Sequence, residues 1–344
     1  MIKPKKLHKG DTVAIVSPSW GGPSVFPHIY ESGIETLKRL GFKIKEFPSA
    51  RKDADYLYLH PEFRAKSINQ AFADKTVKAI FATIGGDDSI RILPFLDLKM
   101  IKKNPKLIMG YSDTTTLTSY LNQLGLVTFN GPSIMAGFSQ WNSLEESFHR
   151  HIKTILFENP KSYEYKPYKY YCHGYLGWNN KKNVGKTKPK IKNPGWNWLQ
   201  GKSIVKGELF GGCIEVLEFM KGTKFWPKET FWQGRILFLE LSNDKPTPEQ
   251  VKWMIRNYGT QGILDKISAL IIGRPMKYNA KERKELEEKV LKVVKVELKN
   301  TSLPIIMNMD FGHTDPQWIL PLGIKAEIDC KNKRFRLVEK VFKD

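Results

Sequence analysis

Ser112 stands in the stretch Leu107-Ile-Met-Gly-Tyr-Ser-Asp-Thr-Thr-Thr116, where a short apolar run meets a glycine and then a train of hydroxyl-bearing residues. The pattern predicts a strand that ends in a tight turn and opens a helix. Such a turn lifts Ser112 clear of the backbone and leaves the following amides without internal acceptors, because the first N–H groups of a helix have none. A serine so placed can act as a nucleophile, with an adjacent amide stabilising an oxyanion. The same residues also fit an ordinary N-cap serine at a strand-to-helix junction. Two further residues stand at strand ends. Glu240 terminates Ile236-Leu-Phe-Leu239, where a carboxylate is costly unless solvated or paired. His313 follows an apolar run in a Gly-flanked loop, where an imidazole can be exposed on one side and oriented on the other. Serine, carboxylate and imidazole suffice for acyl transfer as nucleophile, orienting acid and general base. Each also has a plain structural reading: Glu240 can pair with a surface lysine, and His313 can cap its loop.

The elements that must position these residues follow from periodicity. Thr12–Ser17, Val77–Ile84, Leu107–Met109 and Val127–Phe129 predict short buried strands, and Ile34, Leu37 and Leu40 recur at helical spacing before Gly41. The loops after these strands are rich in Gly, Ser and Asp. Strands alternating with helices indicate a parallel α/β sheet, whose ligands bind beyond the carboxyl ends of the strands. A second part begins near Gly207. There Ile214–Met220, residues 252–258 and residues 281–299 predict helices, while residues 235–240, 269–272 and 304–308 predict strands. Between the two parts, Lys161–Lys202 is crowded with Tyr, Trp, Lys, Asn and Gly and has no regular period. A segment this long without periodicity is a functional loop or a linker, and its aromatic content favours an ordered loop facing a ligand. Glu164 is its single acid, which suits an anionic or π-rich leaving group.

Size and composition set the frame. A chain of 344 residues predicts two domains, and its 41% hydrophobic content supplies their cores. No apolar run approaches the roughly 20 residues that span a bilayer. Cys172, Cys213 and Cys330 lie far apart, are odd in number and show no metal-ligand spacing, which fits a reducing, cytoplasmic setting. The net charge of +21 admits a nucleic-acid-binding basic protein as a rival reading. Its lysines, however, are mixed with acids, as in the helical segment 281–289, and no zinc-finger, RNP or helix-turn-helix signature occurs. A basic surface that speeds encounter with small anions, or a general lysine bias, accounts for the charge equally well.

Several motifs in order resemble the LD-carboxypeptidase family of serine peptidases over nearly the whole chain, most closely its microcin C immunity peptidase-like branch. They are Gly10-Asp-Thr-Val-Ala-Ile-Val-Ser-Pro18, Thr83-Ile-Gly-Gly-Asp-Asp-Ser89, Gly110-Tyr-Ser-Asp113, Gly131-Pro132, Gly211-Gly212, Gly222-Thr223, Ile236-Leu-Phe-Leu-Glu240 and Gly312-His313. The resemblance implies Ser112 as nucleophile, Glu240 as carboxylate and His313 as base, with an oxyanion hole of backbone amides near Gly86 and Asp113. It implies an N-terminal parallel α/β domain over 1–160, an aromatic and basic linker-loop over 161–206, and a C-terminal β/α domain over 207–344. The active site then lies at their interface. It further implies no metal and no cofactor, and a homodimer. In that branch tryptophans of the middle loop stack on the nucleobase of a peptidyl-aminoacyl nucleotide, which makes Trp178 and Trp196 the candidates here and Trp198 a third. The rival substrate within the family is a murein tetrapeptide.

Overall fold

The structure, a computed structural model, describes residues 1–343. Its first sheet is built from β1 (Thr12–Val16), β2 (Lys43–Glu46), β3 (Val77–Ala82), β4 (Leu107–Gly110) and β5 (Thr128–Asn130), all parallel. Val13–Ile15, Ala79–Phe81 and Leu107 are wholly buried. Such continuous apolar runs are what a strand covered on both faces requires. The spatial order β5-β4-β3-β1-β2 reverses direction between β1 and β3. That switch point opens a crevice beyond the strand ends, where open α/β sheets bind ligands. No apolar run marks β2, because Lys-Ile-Lys-Glu is an edge strand whose charge guards it against further pairing.

The second sheet holds β6 (Tyr163–Tyr165), β9 (Asn197–Gln200), β10 (Ile204–Cys213), β11 (Ile236–Glu240), β12 (Ala269–Gly273), β13 (Ile305–Met309), β15 (Lys325–Asp329) and β16 (Arg334–Leu337). Its order is β6-β16-β15-β10-β11-β12-β13-β9, parallel from β10 to β13 and antiparallel outside them. The expected helices form at Ile214–Met220, Pro248–Thr260 and Ala280–Leu291. The last two start with capping boxes, Thr247 with Gln250 and Asn279 with Glu282. The charged helix stays regular to Leu291 and continues as a wider π turn over Lys292–Glu297.

Two findings alter the expected division of the chain. Residues 161–206 are not a period-free loop throughout: β6 and β9 close both edges of the second sheet, and β7 (Tyr170–Tyr171) pairs with β8 (Ile191–Lys192). Then β14 (Leu320–Leu322) returns to the first sheet, antiparallel to β5. Two- to four-residue strands carry too little alternation to be read from sequence. Among the described residues no helix is long and apolar enough to cross a membrane.

Candidate active site

Ser112 adopts φ +58°, left-handed backbone that a non-glycine residue rarely takes. Tyr111 before it is extended, and Ser112–Thr114 form a 3₁₀ turn that runs into the helix Thr115–Gln123. Such a conformation costs about 1–3 kcal/mol and persists only where the surroundings fix it. Asp113 does the fixing. Its buried carboxylate accepts hydrogen bonds from Ser19 Oγ at 2.6 Å and the Ser89 amide at 2.8 Å, and its carbonyl accepts from Ser89 Oγ at 2.7 Å. The turn is thereby tied to the loops that follow β1 and β3. Burial pushes the Asp113 carboxyl above the usual range, and the Ser19 and Ser89 donors oppose that.

Glu240 ends β11, wholly buried, in register with Cys213 of β10. His313 enters from the loop beyond β13. Its Nδ1 lies 2.6 Å from Glu240 Oε2, and its Nε2 lies 3.1 Å from Ser112 Oγ. A carboxylate at Nδ1 holds the proton on that nitrogen and leaves the Nε2 lone pair facing the serine hydroxyl. Burial pulls the imidazole down, but the Glu240 charge and hydrogen bond outweigh it, so His313 titrates above the ordinary histidine value. The Tyr111 ring meets the imidazole edge-on at 5.0 Å. Asp315 is also enclosed here, and burial pushes its carboxyl up to about 7 against the opposing His313 charge.

The two sheets meet where Ser112's helix begins. The Cys213 amide donates to Thr115 Oγ1 at 3.0 Å. A Cβ on Gly212 would stand 2.4 Å from Thr115 Cγ2, so only glycine lets β10 approach this closely. The result is a cleft of about 390 Å³ lined by Ser112, His313, Gly85 and Gly86, with Trp20, Tyr175 and Trp178 as aromatic walls and Asp87, Asn243 and Asp244 at exposed positions. Gly85 passes so near that a Cβ there would lie 2.9 Å from Ser112 Oγ. The Asp113 amide follows Ser112 in the first turn, where helical N–H groups lack internal acceptors. Among the described residues no group of three or more His, Cys, Asp and Glu is arranged to hold a metal ion.

The loop tryptophans part company. Trp178 lines the cleft, stacked on Tyr175 at 4.1 Å with 19° between the planes, and its carbonyl accepts from His28 Nε2 at 2.8 Å. Trp196, expected to bind substrate, is not among the cleft-lining residues, and its indole N–H donates to Asp310 Oδ2 at 2.8 Å. Asp310 is wholly buried and paired with Arg274 at 2.9 Å, and Asn193 bonds both. The Arg274 guanidinium lies 4.3 Å over the Tyr171 ring. A buried ion pair needs such extra partners to offset its desolvation, and here those partners anchor the middle segment to the ends of β12 and β13. Trp198, on β9, lines a different groove. Sequence reasoning missed the Asp113 side chain, Ser19, Ser89, Tyr175, Arg274 and Asp310. The Gly85-Gly86 doublet was the one available signal for the first loop, and nothing local marked the rest.

Comparison with known proteins agrees with this geometry. The LD-carboxypeptidase N-terminal domain family matches residues 13–131 and its C-terminal domain family matches residues 206–328. The microcin C7 self-immunity protein MccF of Escherichia coli is 31% identical over 97% of this chain and 94% of its own length. A Bacillus subtilis protein named "Probable murein peptide carboxypeptidase" is 27% identical over 96% of this chain and 92% of its own. Among solved structures, MccF in complex with aspartyl sulfamoyl adenosine superposes with a TM-score of 0.88 at 28% identity, covering 100% of both chains. An MccF-like protein from Streptococcus pneumoniae in complex with AMP gives 0.83 at 29% identity, over 95% of this chain and 98% of that one. With both domains matched and a strand-end serine facing a histidine across their junction, the chain belongs to the LD-carboxypeptidase family and is a serine-type carboxypeptidase.

Proposed function

We propose that the chain hydrolyses the bond joining a C-terminal acyl group to a nucleotide-like amine, through Ser112, His313 and Glu240. The observation that carries this reading is the hydrogen-bonded line from Ser112 through His313 to Glu240, opening onto a cleft walled by Tyr175 and Trp178. The MccF structure holds aspartyl sulfamoyl adenosine, an acylated sulfamoyl nucleoside, and the MccF-like structure holds AMP, a nucleotide of the leaving-group kind, and both support the reading.

Ser112 Oγ attacks the scissile carbonyl carbon as His313 Nε2 takes its proton. The amides near Gly86 and Asp113 stabilise the oxyanion. The C–N bond then breaks, with the imidazolium protonating the leaving nitrogen, and an acyl-serine remains. Water, deprotonated by His313 Nε2, then attacks the acyl carbon, and the imidazolium returns that proton to Ser112 Oγ as the acid leaves. Glu240 holds the imidazole in one tautomer and stabilises its cation throughout. The aromatic wall holds the base of the leaving group, an interaction worth about 1–3 kcal/mol.

Hydrolysis of aspartyl sulfamoyl adenosine and of an L,D-tetrapeptide, followed side by side by mass spectrometry, tests the reading. Release of the sulfamoyl nucleotide at the higher kcat/KM is expected. Preferential release of terminal D-Ala would instead make the enzyme a murein L,D-carboxypeptidase.

A further inference from the structure

A second cavity, of about 320 Å³, lies at the amino ends of β3 and β4, the far end of the first sheet from Ser112. Seven of the ten residues that line it are lysines, and none is acidic. They come from four parts of the chain: Lys3 and Lys5, Lys75 and Lys78 around the start of β3, Lys103 and Lys106 before β4, and Lys343. A general lysine bias does not account for this convergence, because the fold holds the charges together against their repulsion. Lys5 and Lys343 face each other across a parallel backbone bridge, an arrangement that like charges destabilise. Lys106 is buried, and its ammonium group donates only to the backbone carbonyls of Ala71, at 3.0 Å, and Asp74. Burial pulls it down to about 8, Lys78 and Lys75 add to that, and the Asp74 charge opposes it. The Asp74 carboxylate is itself paired with Lys45 at 2.6 Å. Of the seven lysines only Lys3 has a carboxylate partner among the described residues, Glu339 at 2.8 Å.

We infer that this groove binds a compact chain of phosphates, a free oligophosphate or the phosphate tail of a nucleotide, held by Lys5, Lys78, Lys103, Lys106 and Lys343. Lysine acts on phosphate as a point charge, whereas planar carboxylates are matched by the arginine fork, and no arginine lines the groove. No aromatic ring lines it either, so it offers single-stranded nucleic acid no platform for its bases. Its volume falls within the range of small-ligand sites, about 300–1,000 Å³.

Calorimetric titration of the wild-type chain with tripolyphosphate, ATP, citrate and a short DNA duplex tests the assignment. Tripolyphosphate or ATP should bind more tightly than citrate and the duplex, and added salt should weaken that binding. The tighter of the two names the source, free oligophosphate or nucleotide tail. Changing Lys5→Gln and Lys343→Gln together should raise the Kd by about fivefold or more. Changing Lys281→Gln and Lys284→Gln together removes the same charge from exposed positions on the helix Ala280–Leu291 and should leave the Kd unchanged. Both double variants should keep the wild-type melting temperature and kcat/KM, since neither pair lines the active-site cleft. No binding of either phosphate compound, equal Kd values in the two double variants, or tighter binding of citrate or the duplex would overturn the inference.

Discussion

In the proposed reaction His313 takes a proton from Ser112 only while its Nε2 is free, and the Glu240 carboxylate shifts the pH at which that holds. Because the carboxylate raises the imidazole above its ordinary value near 6.5, kcat/KM should climb with pH through a midpoint above 6.5. In Glu240→Gln that charge is gone and burial is opposed only by the remaining Glu215 and Asp315 carboxylates, so the midpoint should fall and the plateau should drop by several orders of magnitude. A pH–rate profile of the two proteins reads both effects; an unmoved midpoint would mean that Glu240 does not tune the base. At this scale the sequence was informative. Ser112, Glu240 and His313 each stand at the end of a recognisable apolar strand, and strand ends of parallel sheets converge. The side chain of Asp113 was not legible in the same way, because its partners Ser19 and Ser89 lie 94 and 24 residues away and meet it only once the first sheet has formed.

The elements separate the two tryptophans that the sequence treated alike. Trp178 sits in the cleft against Tyr175, whereas Trp196 is bonded to Asp310 in the buried cluster that anchors the middle segment. Trp178→Ala should therefore raise KM for a nucleotide-bearing substrate by about tenfold while leaving an L,D-peptide little affected. Trp196→Phe should lower the melting temperature, since it leaves one oxygen of a buried carboxylate without its donor. Steady-state kinetics and thermal melts of the two variants check the division; equal KM effects would return both residues to the ligand. Composition alone shows that the segment is aromatic, but not which rings face inward. The central strands β1, β3, β4, β11, β12 and β13 were legible because they are unbroken apolar runs. The edge strands β2, β6 and β9 and the return strand β14 were not, being short, polar or defined only by the neighbour they pair with.

The whole molecule is held together by groups that bridge distant parts of the chain, and His151 is one of them. From the helix Glu146–Lys153 its Nε2 accepts the Ile319 amide at 2.8 Å, just before β14, and its Nδ1 lies 2.7 Å from the Tyr163 hydroxyl on β6. Burial pushes this imidazole down to about 3. The unfolded chain then binds a proton that the folded chain refuses between about pH 6.5 and 3. The stability contributed by neutral His151 is thus present above about 6.5 and is lost toward 3, with a slope approaching 1.4 kcal/mol per pH unit. Urea unfolding from pH 7 to 4 should show a shallower loss in His151→Gln than in the wild type, and identical slopes would remove His151 from the account. The sequence could not foresee this bridge. The proposed reaction likewise depends on the two sheets acting as one body, since the nucleophile comes from the first and its partners from the second. Release of sulfamoyl adenosine from aspartyl sulfamoyl adenosine by wild type and Ser112→Ala, with melting temperatures taken on the same samples, tests that claim most directly. The account predicts turnover by the wild type, a loss of about a thousandfold or more in the variant, and unchanged melting; activity above about a hundredth of wild type in a folded Ser112→Ala protein would contradict it.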